Sequence, residues 1–285
     1  MDRIKISTIL FFIILSCNGF SQSDLKLKSS IIPCTETKVN LNKDISNFLD
    51  DGLNIVNAPF KFSSDELYLT GAVVAFTGIA FLSDSQIKTT ISNNHNVLMD
   101  KVTPFGEKYG RSVNTGVLGG GLYLAGLLLD NKDISSTGRM VVESVVYTGL
   151  TVGVLKFALG RGRPYENDGP GDFFDFSFKE EDVSFPSGHT ATAFAVSTVL
   201  ARKIDNVYAT IGLYSLAGLT AYQRIYDNKH WFSDVFVGAA LGYFIGSTIA
   251  NSDEQRENTE NILSKVYVMP SVSSKGVGLS LSLNF

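Results

Sequence analysis

The sequence has few cysteines and no dense run of basic residues, and each shortage excludes a class of protein. Its formal net charge is −4, whereas proteins that bind nucleic acids concentrate Lys and Arg to displace counterions. The two cysteines are Cys17 and Cys34, and the first lies in a candidate signal sequence. We therefore expect no nucleic-acid partner and no intramolecular disulfide in the mature chain, so packing must stabilise it.

The N-terminal segment, residues 1–21, has the pattern of a secretory signal peptide. Two basic residues precede an apolar run, Ile6–Leu15, and small residues stand three and one positions before Gln22. An uncleaved anchor helix is the alternative, but this run is shorter than the roughly 20 apolar residues that a span needs. The pattern predicts cleavage before Gln22 and export; lipidation at Cys17 is a weaker match.

Six apolar stretches follow a polar lead-in, residues 22–66, which contains an amphipathic patch typical of a surface helix. The stretches are Leu67–Leu82, Val113–Leu129, Ser144–Leu155, Thr190–Ala201, Val207–Tyr222 and Val235–Ala250. They predict an all-α fold, a six-helix bundle over residues 67–250 followed by a tail at 251–285.

The length and composition of these stretches make them marginal membrane spans. Most are shorter than about 20 residues, and they are rich in the small residues that let membrane helices pack closely. A soluble all-α bundle is the alternative, since the mean hydropathy is only +0.13. We favour a membrane-embedded bundle.

Two regions lack the helical pattern. Residues 160–186 combine many acids with Phe173, Phe174, Phe176 and Phe178, and a loop of this length suggests a lid that meets lipid chains. In the tail, apolar residues alternate over 277–285 after a turn signal at 273–276, which predicts a short C-terminal β-hairpin packed on the helices.

Polar residues form two groups at the ends of predicted helices. Lys156 and Arg163 stand where two glycines and a proline end the third helix, which leaves both cations near a terminus. Ser187, Gly188 and His189 precede the fourth helix, whose first-turn N–H groups can bind an anion. Each group alone could be ordinary helix capping or dipole compensation.

A third group, Arg224, His230 and Asp234, lies between the fifth and sixth helices. On a helix, residues four apart share a face, so Asp234 can fix the tautomer of His230 and leave its other nitrogen as a nucleophile. An ordinary ion pair explains this pair in isolation. All three groups together favour a phosphate site.

In that order, Lys156-x6-Arg163-Pro164, Pro186-Ser187-Gly188-His189 and Arg224-x5-His230-x3-Asp234 resemble the three signature motifs of the type-2 phosphatidic acid phosphatase and vanadium haloperoxidase superfamily. The resemblance covers roughly residues 67–250. One departure is Gln223, where the family commonly has Ser, and this affects one auxiliary hydrogen bond.

The resemblance implies a role for each matching residue. The phosphate-binding set would be Lys156, Arg163, Ser187, Gly188 and Arg224. His230 would attack phosphorus, Asp234 would orient it, and His189 would protonate the leaving group and later activate water. Phosphoryl transfer needs positioning and dense positive charge, which these groups supply without a metal or another cofactor.

The substrate class stays open at this stage. Phosphatidate, phosphatidylglycerol phosphate, undecaprenyl diphosphate, a lipid A phosphate and a soluble monoester all fit a site that contacts only the phosphate. The alternatives to a lipid phosphatase are a vanadate-dependent haloperoxidase, which the apolar body disfavours, and a non-catalytic lipid-binding envelope protein. No protein partner is indicated.

The resemblance also implies a site that faces the periplasm from a cell-envelope membrane, which agrees with basic residues in the loops away from the motifs. A cleaved signal peptide conflicts with this topology if every stretch crosses the membrane. We therefore expect that Leu67–Leu82 does not span, or that the bundle is peripheral or soluble in the periplasm.

Overall fold

The structure is a computed structural model that describes residues 40–166, 169–174, 179–264, 266–273 and 276–283; the predicted signal peptide and Cys34 lie outside them. These residues contain eight α-helices: α1 (Leu41–Asn57), α2 (Ser64–Ser92), α3 (Val97–Gly110), α4 (Ser112–Leu129), α5 (Lys132–Leu159), α6 (Gly188–Ile204), α7 (Val207–Tyr226) and α8 (Phe232–Ser264). Short 3-10 turns lie at Ala58–Lys61, Pro164–Glu166 and Glu180–Asp182.

Each of the six apolar stretches lies inside one of these helices, but the predicted count of six is wrong. The first additional helix, α1, forms from the amphipathic lead-in that the count leaves out. The second, α3, contains Pro104 and is polar, so neither its hydropathy nor its helix propensity indicates a helix. It is capped by the side chain of Asn96, which accepts the N–H of Met99 at 3.0 Å.

Helix α8 packs directly on α6 through glycines. A Cβ at Gly242 would lie 2.1 Å from the carbonyl oxygen of Ala191, and a Cβ at Gly238 would lie 2.6 Å from that of Ser187. Any side chain at these positions would separate the two backbones. The contact holds the first turn of α8, which carries Asp234, beside Ser187 at the start of α6.

The helix ends that carry the three motif groups meet at one end of the bundle, here called the motif end. It contains the C-terminal ends of α2, α5 and α7 and the N-terminal ends of α6 and α8. Backbone hydrogen bonds join these ends: Ser187 donates to the Asp234 carbonyl at 3.0 Å, and His230 donates to that of Arg224 at 3.1 Å. Residues distant in sequence are therefore neighbours here.

A buried ionic cluster lies at the opposite end, here called the far end. Arg139, only 5% exposed, contacts Glu143 at 2.6 Å, Asp253 at 2.5 Å and Asp51 at 3.4 Å. Arg256 also contacts Asp51, at 2.7 Å. Removing one partner of such a pair typically costs about 3–5 kcal/mol because the other charge stays buried. The cluster therefore ties α1, α5 and α8 together.

Among the residues that the structure describes, four helical segments are long and apolar enough to cross a membrane: Ser64–Ser92, Ser112–Leu129, Lys132–Glu166 and Phe232–Leu263. In the apolar window of α2 only 6% of residues are buried, and Val74 and Leu82 are exposed. Apolar surface of this extent is unfavourable in water and suits contact with lipid. The length and apolar surface of α2 favour a membrane span over Leu67–Leu82. That this stretch does not span stays a prediction.

Two strands follow α8, β1 (Val266–Ser273) and β2 (Gly276–Leu283). They pair antiparallel, with Val266 opposite Leu283 and Ser273 opposite Gly276. The side chains of both strands lie outside the described ones, so the packing of an apolar face on the helices stays a prediction.

Candidate active site

His230 lies just before α8, Asp234 lies in the first turn of α8, and both are buried. The Nδ1 atom of His230 is 3.5 Å from Oδ2 of Asp234. The predicted helical geometry of this pair is wrong, because α8 begins only at Phe232. Asp234 instead reaches back and accepts the N–H of Trp231 at 2.9 Å, as an acidic residue at the third helical position commonly does. The turn before the helix, and not a shared helix face, brings the two side chains together.

Ser184 completes the immediate surroundings of this pair. Its hydroxyl donates to Oδ2 of Asp234 at 2.5 Å and lies 3.3 Å from Nδ1 of His230. Both neighbours of Nδ1 can accept a hydrogen bond, which favours the tautomer with the proton on Nδ1. In that tautomer Nε2 of His230 carries the free lone pair.

Arg161 holds the carboxylate of Asp234 from the other side and is completely buried. It donates to Oδ1 of Asp234 at 2.5 Å and to Oδ2 of Asp84 at 2.7 Å. Asp84, on α2, also accepts the N–H of Ser233 at 2.9 Å and its hydroxyl at 2.6 Å. The orientation of Asp234 is thus fixed by a chain of charged groups that reaches α2.

Aromatic rings surround the guanidinium of Arg161. Phe81, Phe173 and Trp231 lie 5.2, 4.9 and 5.4 Å from it, measured to the ring centroids, within the range of cation–π attraction. Phe173 therefore packs inside the site, whereas Phe174 is exposed. Phe176 and Phe178 lie outside the described residues, so the predicted lid stays a prediction.

The three predicted phosphate-binding cations, Lys156, Arg163 and Arg224, gather near His230; we call them the phosphate cluster. Lys156 lies in the last turn of α5 and donates to the carbonyl of Val183, while Arg163 and Arg224 are each 7% exposed. Burial lowers the pKa of His230 well below its ordinary value, and the charges of the cluster lower it further. His230 is therefore neutral near pH 7, as a nucleophile must be.

Ser187 and Gly188 begin α6 as predicted, with one difference in detail. The Ser187 hydroxyl pairs with that of Thr190 at 3.0 Å and does not cap the helix. A Cβ at Gly188 would make only an ordinary contact, 3.5 Å from Val152, so packing within the protein does not itself require glycine there. Glycine would be required if an anion bound close to the backbone at this position, because a side chain would block its approach.

His189 lies in the first turn of α6, on the same side as the phosphate cluster. Its pKa is lowered to about 4, first by burial and then by the charges of Arg224, Arg111, Arg163 and Lys156. The imidazole is therefore held neutral at pH 7 until negative charge enters the site.

Gln223, the departure from the family pattern, supports Arg224. Its side-chain oxygen accepts from Arg224 at 3.4 Å, and its amide nitrogen donates to Asp227 at 2.5 Å. The longer side chain still provides an auxiliary hydrogen bond at this position.

Sequence reasoning missed three residues of the site: Asp84, Arg161 and Ser184. Arg161 stands two positions before Arg163 with no signal to separate their roles, and Ser184 lies in an aperiodic loop. A weak signal existed for Asp84, a lone carboxylate two residues after the apolar stretch Leu67–Leu82. Within the described part of the chain, no group of three or more His, Cys, Asp or Glu side chains is arranged to hold a metal ion.

Comparison with known proteins gives a family match, curated relatives and a solved structure. A family model described as the PAP2 superfamily matches residues 138–257. A lipid A 1-phosphatase of Porphyromonas gingivalis is 35% identical over 116 residues, 39% of this chain and 23% of that protein. A lipid A 1-phosphatase of Rhizobium etli is 32% identical over 114 residues, 38% of this chain and 47% of that protein.

A crystal structure of Aquifex aeolicus LpxE is also similar, with 25% identity, a TM-score of 0.47, and coverage of 59% of this chain and 94% of that one. The matches span less than half the length of the two curated relatives. The family match over residues 138–257 contains the residues of all three motif groups, which meet at one buried site. Residues 138–257 of this chain are therefore similar to the PAP2 superfamily.

Proposed function

We propose that this protein is a phosphatase that transfers the phosphoryl group of a membrane lipid phosphate to His230 and then to water. The environment of His230 carries the proposal: a buried, neutral imidazole whose Nδ1 faces Asp234 and Ser184, next to three cations. The charges of the three cations lower the pKa of His230, and perturbed pKa values in such a cluster are typical of active sites.

His230 is the nucleophile in this mechanism. With the proton on Nδ1, its Nε2 attacks phosphorus, the Nε2–P bond forms, and the bond from phosphorus to the leaving oxygen breaks. His189 donates a proton to that oxygen. His189 then accepts a proton from water, whose oxygen attacks the phosphohistidine, and the Nε2–P bond breaks to release phosphate.

The phosphate cluster stabilises the charge on the equatorial oxygens in the transition state. Preorganised donors in a site shielded from water act more strongly than the same groups in solution. The N–H groups at the start of α6 add the positive end of the helix dipole. The proposed reaction therefore needs no metal ion or cofactor.

The charge balance of the site also explains how His189 can serve as an acid with so low a pKa. The cations that lower the pKa of His189 are the groups that a bound phosphate neutralises. Binding of the anion therefore raises this pKa toward the ordinary value and lets the imidazole hold the proton that it donates.

The apolar outer surface of α2 and the four candidate spans support a lipid substrate in a membrane. The two curated relatives are named as lipid A 1-phosphatases, so a lipid A phosphate is the first substrate to test. Basic residues at the far end, including Lys132, Arg202 and Lys203, support a cytoplasmic far end and a periplasmic motif end.

The first prediction concerns the nucleophile. His230→Ala should lower phosphate release from a lipid phosphate in mixed micelles by about a thousandfold or more, because no other side chain replaces the imidazole. The wild-type protein should remain active in EDTA and form an acid-labile, base-stable phosphoenzyme. His95→Ala is the matched control, since His95 is an exposed residue that stacks on Tyr226. Near-normal turnover by His230→Ala would contradict the mechanism, and loss of wild-type activity in EDTA would contradict metal independence.

The second prediction concerns the support of Asp234. Asp84→Asn should lower kcat roughly 10- to 100-fold with little change in KM, because Arg161 loses one of its two carboxylates and shifts with Asp234. Steady-state kinetics at several pH values should separate this change from a loss of folded protein. Asp65→Asn, an exposed change on the same helix, should have no effect, and equal losses in both variants would argue against a role for Asp84 in positioning.

The third prediction concerns the protonation of His189. The protein contains only three histidines, so their signals can be followed separately after 13C labelling of histidine. Without ligand, the His189 signal should titrate near pH 4. Vanadate should move this titration to higher pH, because the anion offsets the charges that lower the pKa of His189. A His189 titration that vanadate leaves unchanged would count against the charge argument.

The fourth prediction concerns topology. In a background where both cysteines are replaced by Ser, Gly171→Cys at the motif end should react with an impermeant maleimide in spheroplasts, whereas Tyr208→Cys at the far end should react only after permeabilisation. Both positions are exposed. The reverse pattern would put the site in the cytoplasm, as a cleaved signal peptide with six crossings requires. Reaction of both positions in spheroplasts would mean that the bundle does not span.

A further inference from the structure

The corner between α3 and α4 lies against the first turn of α6. A Cβ at Gly110, the last residue of α3, would lie 2.8 Å from the carbonyl oxygen of His189 and 3.1 Å from its Cβ. On the other side of the corner, the Ser112 hydroxyl is 3.1 Å from that of Thr192, three residues along α6 from His189. Arg111 stands between these two contacts, which hold its backbone close to the first turn of α6.

Arg111 differs from the phosphate cluster in its exposure and in its partner. Its side chain is 57% exposed, and it donates to Glu107 at 3.1 Å. Exposed pairs of this kind contribute little to stability, so the guanidinium can exchange the carboxylate for another anion at small cost.

The charge of Arg111 is one of those that lower the pKa of His189. Among the cations that lower the pKa of His189, Arg111 ranks after Arg224 and ahead of Arg163. The cations that act most on His230 are Lys156, Arg224 and Arg163. Arg111 is thus a fourth cation on the side of the proposed general acid.

This position corresponds to the leaving group in the proposed reaction. In phosphoryl transfer the attacking and leaving atoms lie roughly in line on opposite sides of phosphorus, so His230 and His189 face opposite sides of the transferred group. A cation beside His189 is therefore placed to contact the leaving group. The leaving group of a monoester is an uncharged alcohol, whereas that of a diphosphate is a phosphate.

We propose that Arg111 forms a second phosphate subsite that holds the leaving phosphate of a lipid diphosphate. The inference rests on the proposed function. Nε2 of His230 bonds to the terminal phosphorus, the bond to the bridging oxygen breaks, and His189 protonates that oxygen while Arg111 binds the other oxygens of the departing lipid monophosphate. Water then hydrolyses the phosphohistidine to inorganic phosphate.

The test compares farnesyl diphosphate with farnesyl monophosphate, because the two substrates share one lipid chain and differ in the leaving group. Arg111→Gln should lower the ratio of kcat/KM for the diphosphate to that for the monophosphate by about tenfold or more, since charge-assisted hydrogen bonds are lost from one substrate alone. Arg111→Lys should restore part of the ratio. Lys108→Gln, which removes a nearby exposed charge, should leave the ratio unchanged.

Each outcome has a definite meaning. A ratio that Arg111→Gln leaves unchanged, or that Lys108→Gln lowers equally, would overturn the subsite while leaving the phosphatase proposal intact. Wild-type hydrolysis of the monophosphate without the diphosphate would overturn it as well. Failure of the wild-type protein to release phosphate from these substrates and from the lipid phosphate used to test His230 would instead overturn the proposed function.

Discussion

The arrangement of the site depends on one buried guanidinium. Arg161 lies between the carboxylates of Asp84 and Asp234, and none of the three side chains is more than 1% exposed. Without the cation, two buried carboxylates would face each other across an apolar pocket of aromatic rings, where each is far more costly than in water. With the cation, α2 and α8 are joined at the level of His230. The orientation of His230 is therefore a property of the whole motif end and not of its own helix.

The remainder of the fold holds the helices of the motif end in fixed positions relative to one another. The glycines of α8 let it contact the backbone of α6, which leaves little freedom for Asp234 to move relative to Ser187. The ionic cluster around Arg139 fixes the other ends of α5 and α8. Between the two ends the helices are apolar and pack through small residues. The three cations of the phosphate cluster are thus gathered at this one end of the bundle, near His230.

The sequence allowed the motif residues to be identified, since Lys156, Arg163 and His189 all stand at helix ends where an anion can bind. It could not predict the helical start at Phe232, because this depends on Asp234 accepting the N–H of Trp231. The contact of Asp84 with Ser233 joins positions 149 apart along the chain, and no local pattern encodes such a pairing. Pro104 and the polar residues around it concealed α3, which tertiary contacts stabilise against its propensity.

The two buried residues of α2, Ala80 and Asp84, lie in its second half, and much of its remaining apolar surface points outward. A mismatch between helix length and bilayer thickness costs only fractions of a kcal/mol per Å, whereas withdrawing Asp84 from Arg161 would leave buried charge unpaired at several kcal/mol. The second cost is the larger. In a membrane, the contact between Asp84 and Arg161 therefore fixes the position of α2 along the bilayer normal relative to the other helices. The surrounding bilayer must thin or thicken to match α2, because the helix does not slide.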